Sequence, residues 1–255
     1  MSYALLSDFD GTFVNDRMEL DSYSLSFINE FLKENKICIV STTSYSFLND
    51  FTKRYNINCD IYSLSSGIAR INDNVIMSLI PKKVINNFFT KYNDYIYTAY
   101  SESDKETYIF HYHERLDLLY PKVNRKIIDE LPCDIPSLTI AISKNKITSF
   151  YEDLENLELN YRIIASDKNR DIINIYKSAV SKLDAVYLIK SEYPDKKIIG
   201  ATDSYYDFDM ISNCEIKIAM LNSDDELKQN VDIITDYDNN NSGLFRKLND
   251  ICHLK

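Results

Sequence analysis

Apolar residues in this chain come in short dense runs, separated by stretches where they recur at helical spacing. Tyr3 to Ser7 is such a run, ending at Asp8, as a strand buried on both faces does. Asp21 to about Lys33 follows, with Leu25, Phe27, Ile28, Phe31 and Leu32 in a helical pattern. Ile37 to Val40 reads as a second strand that closes on Ser41-Thr42-Thr43, and Phe47 to Tyr55 as a helix. Asp60 to Leu64 reads as a third strand, followed by Ser65-Ser66-Gly67. Strand and helix in turn predict a parallel sheet covered by helices on both faces.

The texture changes near Pro81. Lys82 to Tyr92 has a helical pattern, and Tyr95 to Tyr100 and Thr107 to Tyr112 read as strands around the polar turn Ser101–Glu106. Residues 122–131 read as a helix, Ser137 to Ser143 as a strand and Lys146 to Leu157 as a helix. Tyr161–Ala165 and Asp171–Tyr176 close around the turn Ser166–Arg170. Strands joined by short polar turns predict an antiparallel α+β unit. The first alternation then returns. Helices are expected over Ser181–Glu192, Tyr206–Ser212, Asp224–Asn230 and Ser242–Ile251, and strands over Lys197–Ala201, Ile216–Met220 and Asp232–Thr235. The chain is therefore expected to be α/β, with residues 1–80 and 177–255 forming a parallel-sheet core and 81–176 inserted as a second domain. Asn239–Asn241 is the low-complexity piece and reads as a loop.

Composition narrows the functions open to such a chain. At 45% hydrophobic residues it can build a core, which argues against disorder. A formal net charge of −10 repels nucleic acid and anionic membranes, so neither is expected as a partner. An acidic protein can still hold a phosphorylated ligand through a local cation or a metal. The five cysteines are widely spaced with no CxxC pair, which argues against a disulfide framework or zinc site and for a reducing cytoplasm. The N-terminus lacks the basic and apolar regions of a signal peptide, and no apolar run reaches the ~18 residues that a membrane span needs.

Four places carry candidate chemistry. Asp8-Phe9-Asp10-Gly11-Thr12 follows the first strand, where ligands of open α/β sheets bind. Two carboxylates at i and i+2 can both turn into that crevice, one to attack phosphorus and one to handle protons, while Gly11 allows the tight turn. A lone pair of this kind is more often a solvated Asx turn; the buried strand before it tips the balance. Thr202-Asp203-Ser204-Tyr205-Tyr206-Asp207 puts two more acids at a later strand end. Read alone it is as well explained by a helix cap, but four clustered acids would require a hard cation such as Mg²⁺. Ser41-Thr42-Thr43 offers hydroxyls at a third strand end, although a capping cluster is the commoner meaning. Lys182, at the start of a helix, supplies positive charge; without context it is an ordinary surface lysine.

In this order and spacing the motifs resemble those of the haloacid dehalogenase superfamily of phosphatases: DxDGT, a Ser or Thr after the second strand, a Lys, and a late acidic pair. The resemblance covers essentially the whole chain. It is closest to the subgroup with a large α/β cap inserted between the second and third motifs, which includes many sugar-phosphate phosphatases. Ser66-Gly67-Ile68 stands where that subgroup often has Asn-Gly-Ala; Asp171 to Lys182 and Asn230 to Leu244 are also similar to it. The resemblance implies a Rossmann-like core with an inserted α+β cap. It implies Mg²⁺-dependent hydrolysis of a small phosphorylated metabolite through an aspartyl phosphate. Asp8 would be the nucleophile and a metal ligand, and Asp10 the general acid/base with its carbonyl on the metal. Thr42 would bind the phosphoryl group, and Lys182 would neutralise nucleophile and phosphate. Asp203 and Asp207 would complete the metal site. Gly11, Thr12, Thr43 and Gly67 would line the substrate pocket.

Two departures bear on specificity. Thr42-Thr43-Ser44 stands where the subgroup commonly has Thr-Gly-Arg, and Thr202 and Tyr206 replace a Gly and an Asn of the fourth motif. They motivate a second reading, a relative that binds a phosphorylated ligand without turnover; a third is a phosphomutase, since the resemblance is to a superfamily in which some members move phosphate within a sugar. His111 and His113 alternate on an expected strand and so share a face, more readily a solvated one than a substrate-binding one. His253, in the tail, is expected to be incidental. Substrate identity and oligomeric state are not fixed by the sequence.

Overall fold

A computed structural model describes residues 2–64, 67–103, 106–113, 125–177 and 181–252. The first half of the main sheet is β1 (Tyr3–Ser7), β2 (Lys36–Ser41), β3 (Asp60–Ser63), β4 (Ile68–Ile71) and β5 (Asn74–Met77), with helices α1 (Ser22–Phe31) and α2 (Tyr45–Arg54) between the early strands. Then come α3 (Lys82–Tyr92), β6 (Ile96–Glu102), β7 (Thr107–Phe110), β8 (Arg125–Ile127), β9 (Ser137–Ser143), α4 (Ile147–Asn156), β10 (Asn160–Ser166) and β11 (Arg170–Tyr176). The chain returns through α5 (Lys182–Glu192), β12 (Lys197–Thr202), α6 (Phe208–Ser212), β13 (Ile216–Ala219), α7 (Asp225–Lys228), β14 (Ile233–Ile234) and α8 (Gly243–Cys252).

These strands form an eight-stranded sheet ordered β14-β13-β12-β1-β2-β3-β4-β5 and a six-stranded sheet ordered β10-β11-β9-β6-β7-β8. The larger is parallel from β14 to β3 and ends in the antiparallel hairpin β4–β5. Its strands are buried on both faces, which is why they read as continuous apolar runs. Leu5, Ile39 and Ile199 pack under Phe27, Phe51 and Phe245 on one side. Ala4, Leu6 and Val40 pack under Val186, Ile189 and Met210 on the other. The smaller sheet has its own core, in which Leu138, Ile140, Ile173 and Ile175 meet Phe88, Tyr92 and Phe150. Among the described residues no helix is long and apolar enough to cross a membrane.

Several sequence expectations need correction. The hairpin β4–β5 was not foreseen; its turn, Asn72-Asp73, has φ of 47° and 64°, the left-handed pair that a two-residue hairpin requires. The helix expected over 122–131 is instead a short strand at Arg125–Ile127, beside β7; residues 122–124 lie outside the described residues. The strand expected to reach Tyr112 stops at Phe110, because His111 turns to φ 49°. Its ring stacks on Phe110 and its Nδ1 hydrogen-bonds the Ile96 carbonyl at 3.0 Å. His111 and His113 therefore do not share a strand face, and both are exposed. Ser65, Ser66, residues 104–105 of the polar turn, and His253 also fall outside the described residues.

Candidate active site

From β1 the chain goes to β2 and β3 on one side, while β12, β13 and β14 fill the other. A crevice opens at the carboxyl ends of neighbouring strands whose connections run opposite ways. Asp8 leaves β1 at that point, its amide donating to the Ala201 carbonyl of β12 at 3.0 Å. Phe9–Phe13 then form one wide turn, closed by the Val14 amide donating to the Phe9 carbonyl at 3.2 Å. Gly11 stands in that turn at φ 68°. A side chain there would also collide with the Asp203 carboxylate, so glycine admits both the turn and its acidic neighbour.

The candidate side chains reach this crevice from several strand ends. Lys182 opens α5, which Ser181 caps in a reciprocal box with Asp184. Its Nζ donates to Asp8 Oδ1 and, at 2.6 Å, to Asp207 Oδ2. Thr202 Oγ1 donates to the same Asp207 oxygen at 2.7 Å. Thr12 Oγ1 donates to Asp203 Oδ1 at 3.2 Å, and Thr43 Oγ1 donates to Asp10 Oδ2 at 3.0 Å. Thr43 is itself held: its amide donates to Ser41 Oγ at 2.9 Å and its carbonyl accepts from Ser63 Oγ at 2.7 Å.

This arrangement is short of positive charge. Burial pushes the Asp8 carboxyl up and Lys182 pulls it back, while Asp207 and Asp203 push it up again, leaving it at about 7. Burial likewise raises Asp203. Burial alone would lower Lys182, but Asp8 and Asp207 outweigh it and raise its pKa. Among the described residues no three His, Cys, Asp or Glu side chains gather closely enough to make a metal cage by themselves. The four acids are divided instead. Lys182 engages both Asp8 and Asp207, Thr202 adds to Asp207, Thr43 holds Asp10, and Thr12 holds Asp203, which lies against Gly11 and near enough to raise Asp8 electrostatically. Two hard carboxylates suit Mg²⁺, which keeps several waters and binds through one or two carboxylates. The buried, charge-starved Asp8 is the observation that fits such an ion.

Other expected site residues sit differently. Thr42 is exposed. Gly67 has φ 63° and lies against the Pro136 carbonyl; with Tyr62, Ile76, Met77 and Asp184 it lines a cavity of about 240 Å³. No described contact joins it to Asp8 or Lys182. Tyr206 is 99% exposed, so it takes no part in the crevice. Sequence reasoning missed Ser63, although it too ends a strand beside β2. It also missed Glu102, a buried carboxylate at the end of β6 that accepts from Ser46 Oγ in the first turn of α2. No local signal marked that contact, which joins the two sheets' neighbourhoods.

The family model described as haloacid dehalogenase-like hydrolase matches residues 5–248. An uncharacterized protein of Mycoplasma capricolum subsp. capricolum is 28% identical over 233 residues, covering 82% of this chain and 87% of that protein. A crystal structure from Thermotoga maritima superposes with a TM-score of 0.79 at 19% identity, over 98% of this chain and 97% of the other. A haloacid dehalogenase-like hydrolase from Bacteroides thetaiotaomicron gives 0.77 at 16% identity, over 98% and 100%. A sugar phosphatase of haloacid dehalogenase subclass IIB gives 0.67 at 15% identity, over 98% and 99%.

Proposed function

The chain belongs to the haloacid dehalogenase-like hydrolases, and from that premise we propose that it is a Mg²⁺-dependent phosphatase. Its substrate would be a small phosphate monoester such as a sugar phosphate. The observation that carries the reading is the position of Asp8: a buried carboxylate at the switch point, bridged by Lys182 to Asp207, with Asp10 two residues on and held by Thr43.

Lys182 engages Asp8 Oδ1, and among the described residues Oδ2 has no hydrogen-bond partner. That oxygen attacks phosphorus in line, forming the Asp8–phosphorus bond as the ester oxygen leaves. Asp10, protonated at the outset, gives its proton to the leaving oxygen. It then takes a proton from water, which attacks the aspartyl phosphate, releases phosphate and restores the Asp8 carboxylate. Thr43, whose hydroxyl donates to Asp10 Oδ2, orients the acid/base, the exposed Thr42 beside it offers a hydroxyl to the transferring group, and Lys182 offsets the negative charge that gathers there. Asp8, Asp203 and the Asp10 carbonyl would hold Mg²⁺, with Asp207 behind them. When bound, the ion supplies the positive charge that the site lacks.

We assign residues 1–80 and 177–255 to the catalytic core and 81–176 to a cap over it. The second sheet, built wholly from that segment around its own apolar core, supports the division. Tyr100, Glu102, Thr139 and Asn174 share the sheet face opposite that core. Glu102 on this face meets Ser46, two residues past the N-cap of α2, so the face is turned toward the site. A row of hydroxyl, carboxylate and amide groups, buried except for the half-buried Tyr100, suits a polyhydroxylated leaving group. A reducing compartment such as the cytoplasm suits the five free thiols. The test is a screen of sugar phosphates, nucleotides and phosphorylated cofactors with Mg²⁺. Phosphate release is expected. A rearranged ester would instead mark a mutase, and binding without turnover would mark a non-catalytic protein.

A further inference from the structure

We propose that Asn239 and Asn222 are positioning residues that clasp the wide turn after Asp8 and thereby set the geometry of Asp10; the catalytic part of this inference rests on the phosphatase reading. The turn runs from Phe9 to Phe13 and is closed by a bond of 3.2 Å from the Val14 amide to the Phe9 carbonyl. It contains Gly11 at positive φ, the residue type with the widest conformational freedom. Left to itself, such a turn has little to fix it. The chain fixes it from outside at two points. Asn222 Nδ2 donates to the Gly11 carbonyl at 2.9 Å, within the turn. Asn239 Nδ2 donates to the Val14 carbonyl at 3.2 Å and to Asp16 Oδ1 at 2.9 Å, where the turn closes. The two clamps are joined, since the Asn239 amide donates to Asn222 Oδ1 at 3.2 Å.

The side-chain types suit the task. Asn222 must accept from a backbone N–H and donate to a backbone carbonyl, and only an amide does both at that length. Asn239 is 8% exposed, and its bond to Val14 is buried, so water cannot easily replace it. Asn240 adds a reciprocal pair with Asp16: it accepts from the Asp16 amide at 3.2 Å and donates to Asp16 Oδ2 at 3.0 Å. The asparagine run that reads as low-complexity sequence is thus the contact surface for the nucleophile loop. Asp10 lies between Phe9, whose carbonyl takes the closing bond, and Gly11, whose carbonyl Asn222 holds, so the clasp controls where its carbonyl and carboxylate point.

The test uses Asn239→Asp, which keeps the shape but removes both donors and faces Asp16 with a like charge, and Asn222→Ala at an exposed position. Two readouts are taken on the full chain. In hydrogen exchange without metal, residues 9–16 should lose protection about tenfold in Asn239→Asp and less in Asn222→Ala, with the second sheet unchanged. In turnover of an aryl phosphate with Mg²⁺, corrected for folded fraction, kcat should fall about tenfold or more in Asn239→Asp and about threefold in Asn222→Ala. KM should stay within about threefold, because the clasp touches no substrate. Unchanged protection of 9–16, or a kcat that does not move when protection is lost, overturns the proposal. So does a loss expressed in KM alone. A wild type inactive toward all esters would count against the phosphatase reading, while loosening of 9–16 in that protein would still support the clasp.

Discussion

Asp8→Asn should abolish turnover and make the metal-free protein more stable. The side chain keeps its shape and loses only the charge that, in the proposed mechanism, attacks phosphorus. Loss of a covalent nucleophile costs roughly 10⁴-fold or more in kcat. The stability gain comes from the carboxylate's surroundings. Burial and the neighbouring acids raise Asp8 from 3.8 to about 7 despite Lys182. Folding therefore disfavours the ionised form: the penalty is absent below about pH 3.8, grows with pH to about 7 and is constant above it. Three pKa units at about 1.36 kcal/mol each give roughly 4 kcal/mol as an upper figure. Relaxation and water entry leave about 2–4 kcal/mol. At roughly 2–4 °C per kcal/mol for a chain of this size, the unfolding midpoint should rise by several degrees at pH 8. The assay is thermal unfolding of wild type and variant in EDTA at pH 8 and pH 4.5, beside phosphate release with Mg²⁺. The gain should shrink at the lower pH, where wild-type Asp8 is itself largely neutral. A variant that is less stable than wild type at pH 8, or that still turns over, would refute the reasoning.

Removal of divalent metal with EDTA should abolish phosphate release and added Mg²⁺ should restore it; full activity in EDTA would dismiss the ion. Asp10→Asn should cut hydrolysis of an alkyl phosphate by about 10²–10⁴-fold. With an aryl ester, whose leaving group needs little proton assistance, it should instead accumulate a phosphorylated protein visible by intact mass. Asp21 caps α1, accepting from the Ser24 amide at 2.7 Å and from Ser242 Oγ at 2.5 Å. Burial would raise its carboxyl, but these bonds outweigh it and hold the pKa below 3.8. Its contribution is thus complete above the ordinary carboxylate pKa and lost as pH falls through the depressed value. Asp21→Ala should cost about 1 kcal/mol at pH 7 and less at pH 3, measured by urea unfolding at both.

The parallel strands were legible because each is buried on both faces, so burial alone writes them as unbroken apolar runs such as Leu5-Leu6 and Ile37–Val40. The β4–β5 hairpin was not, since β5 is an edge strand whose Val75 and Ile76 stay exposed and carry no buried face to read. Arg125–Ile127 reads as helix in the sequence because three residues on a sheet edge show no period, and what makes them a strand is the neighbouring β7. His111 shows the same limit: its positive φ goes with a bond to Ile96, fifteen residues earlier.

The sequence by itself determined which residues carry charge, where the strands end, and hence that Asp8, Asp10, Thr43, Lys182, Asp203 and Asp207 lie close to strand ends or helix starts. Those are local properties, set by burial period and turn chemistry within a few residues. The tertiary structure alone decided who faces whom. Lys182 reaches Asp8 across 174 positions, and Thr12 reaches Asp203 across 191. The order β12-β1-β2 is what brings these ends together, and it follows from packing the whole sheet between two helical layers. The same holds for Asn239. Its type and its loop are visible in the chain, but its grip on Val14 exists only because β14 and β1 belong to one sheet and deliver their loops to the same edge.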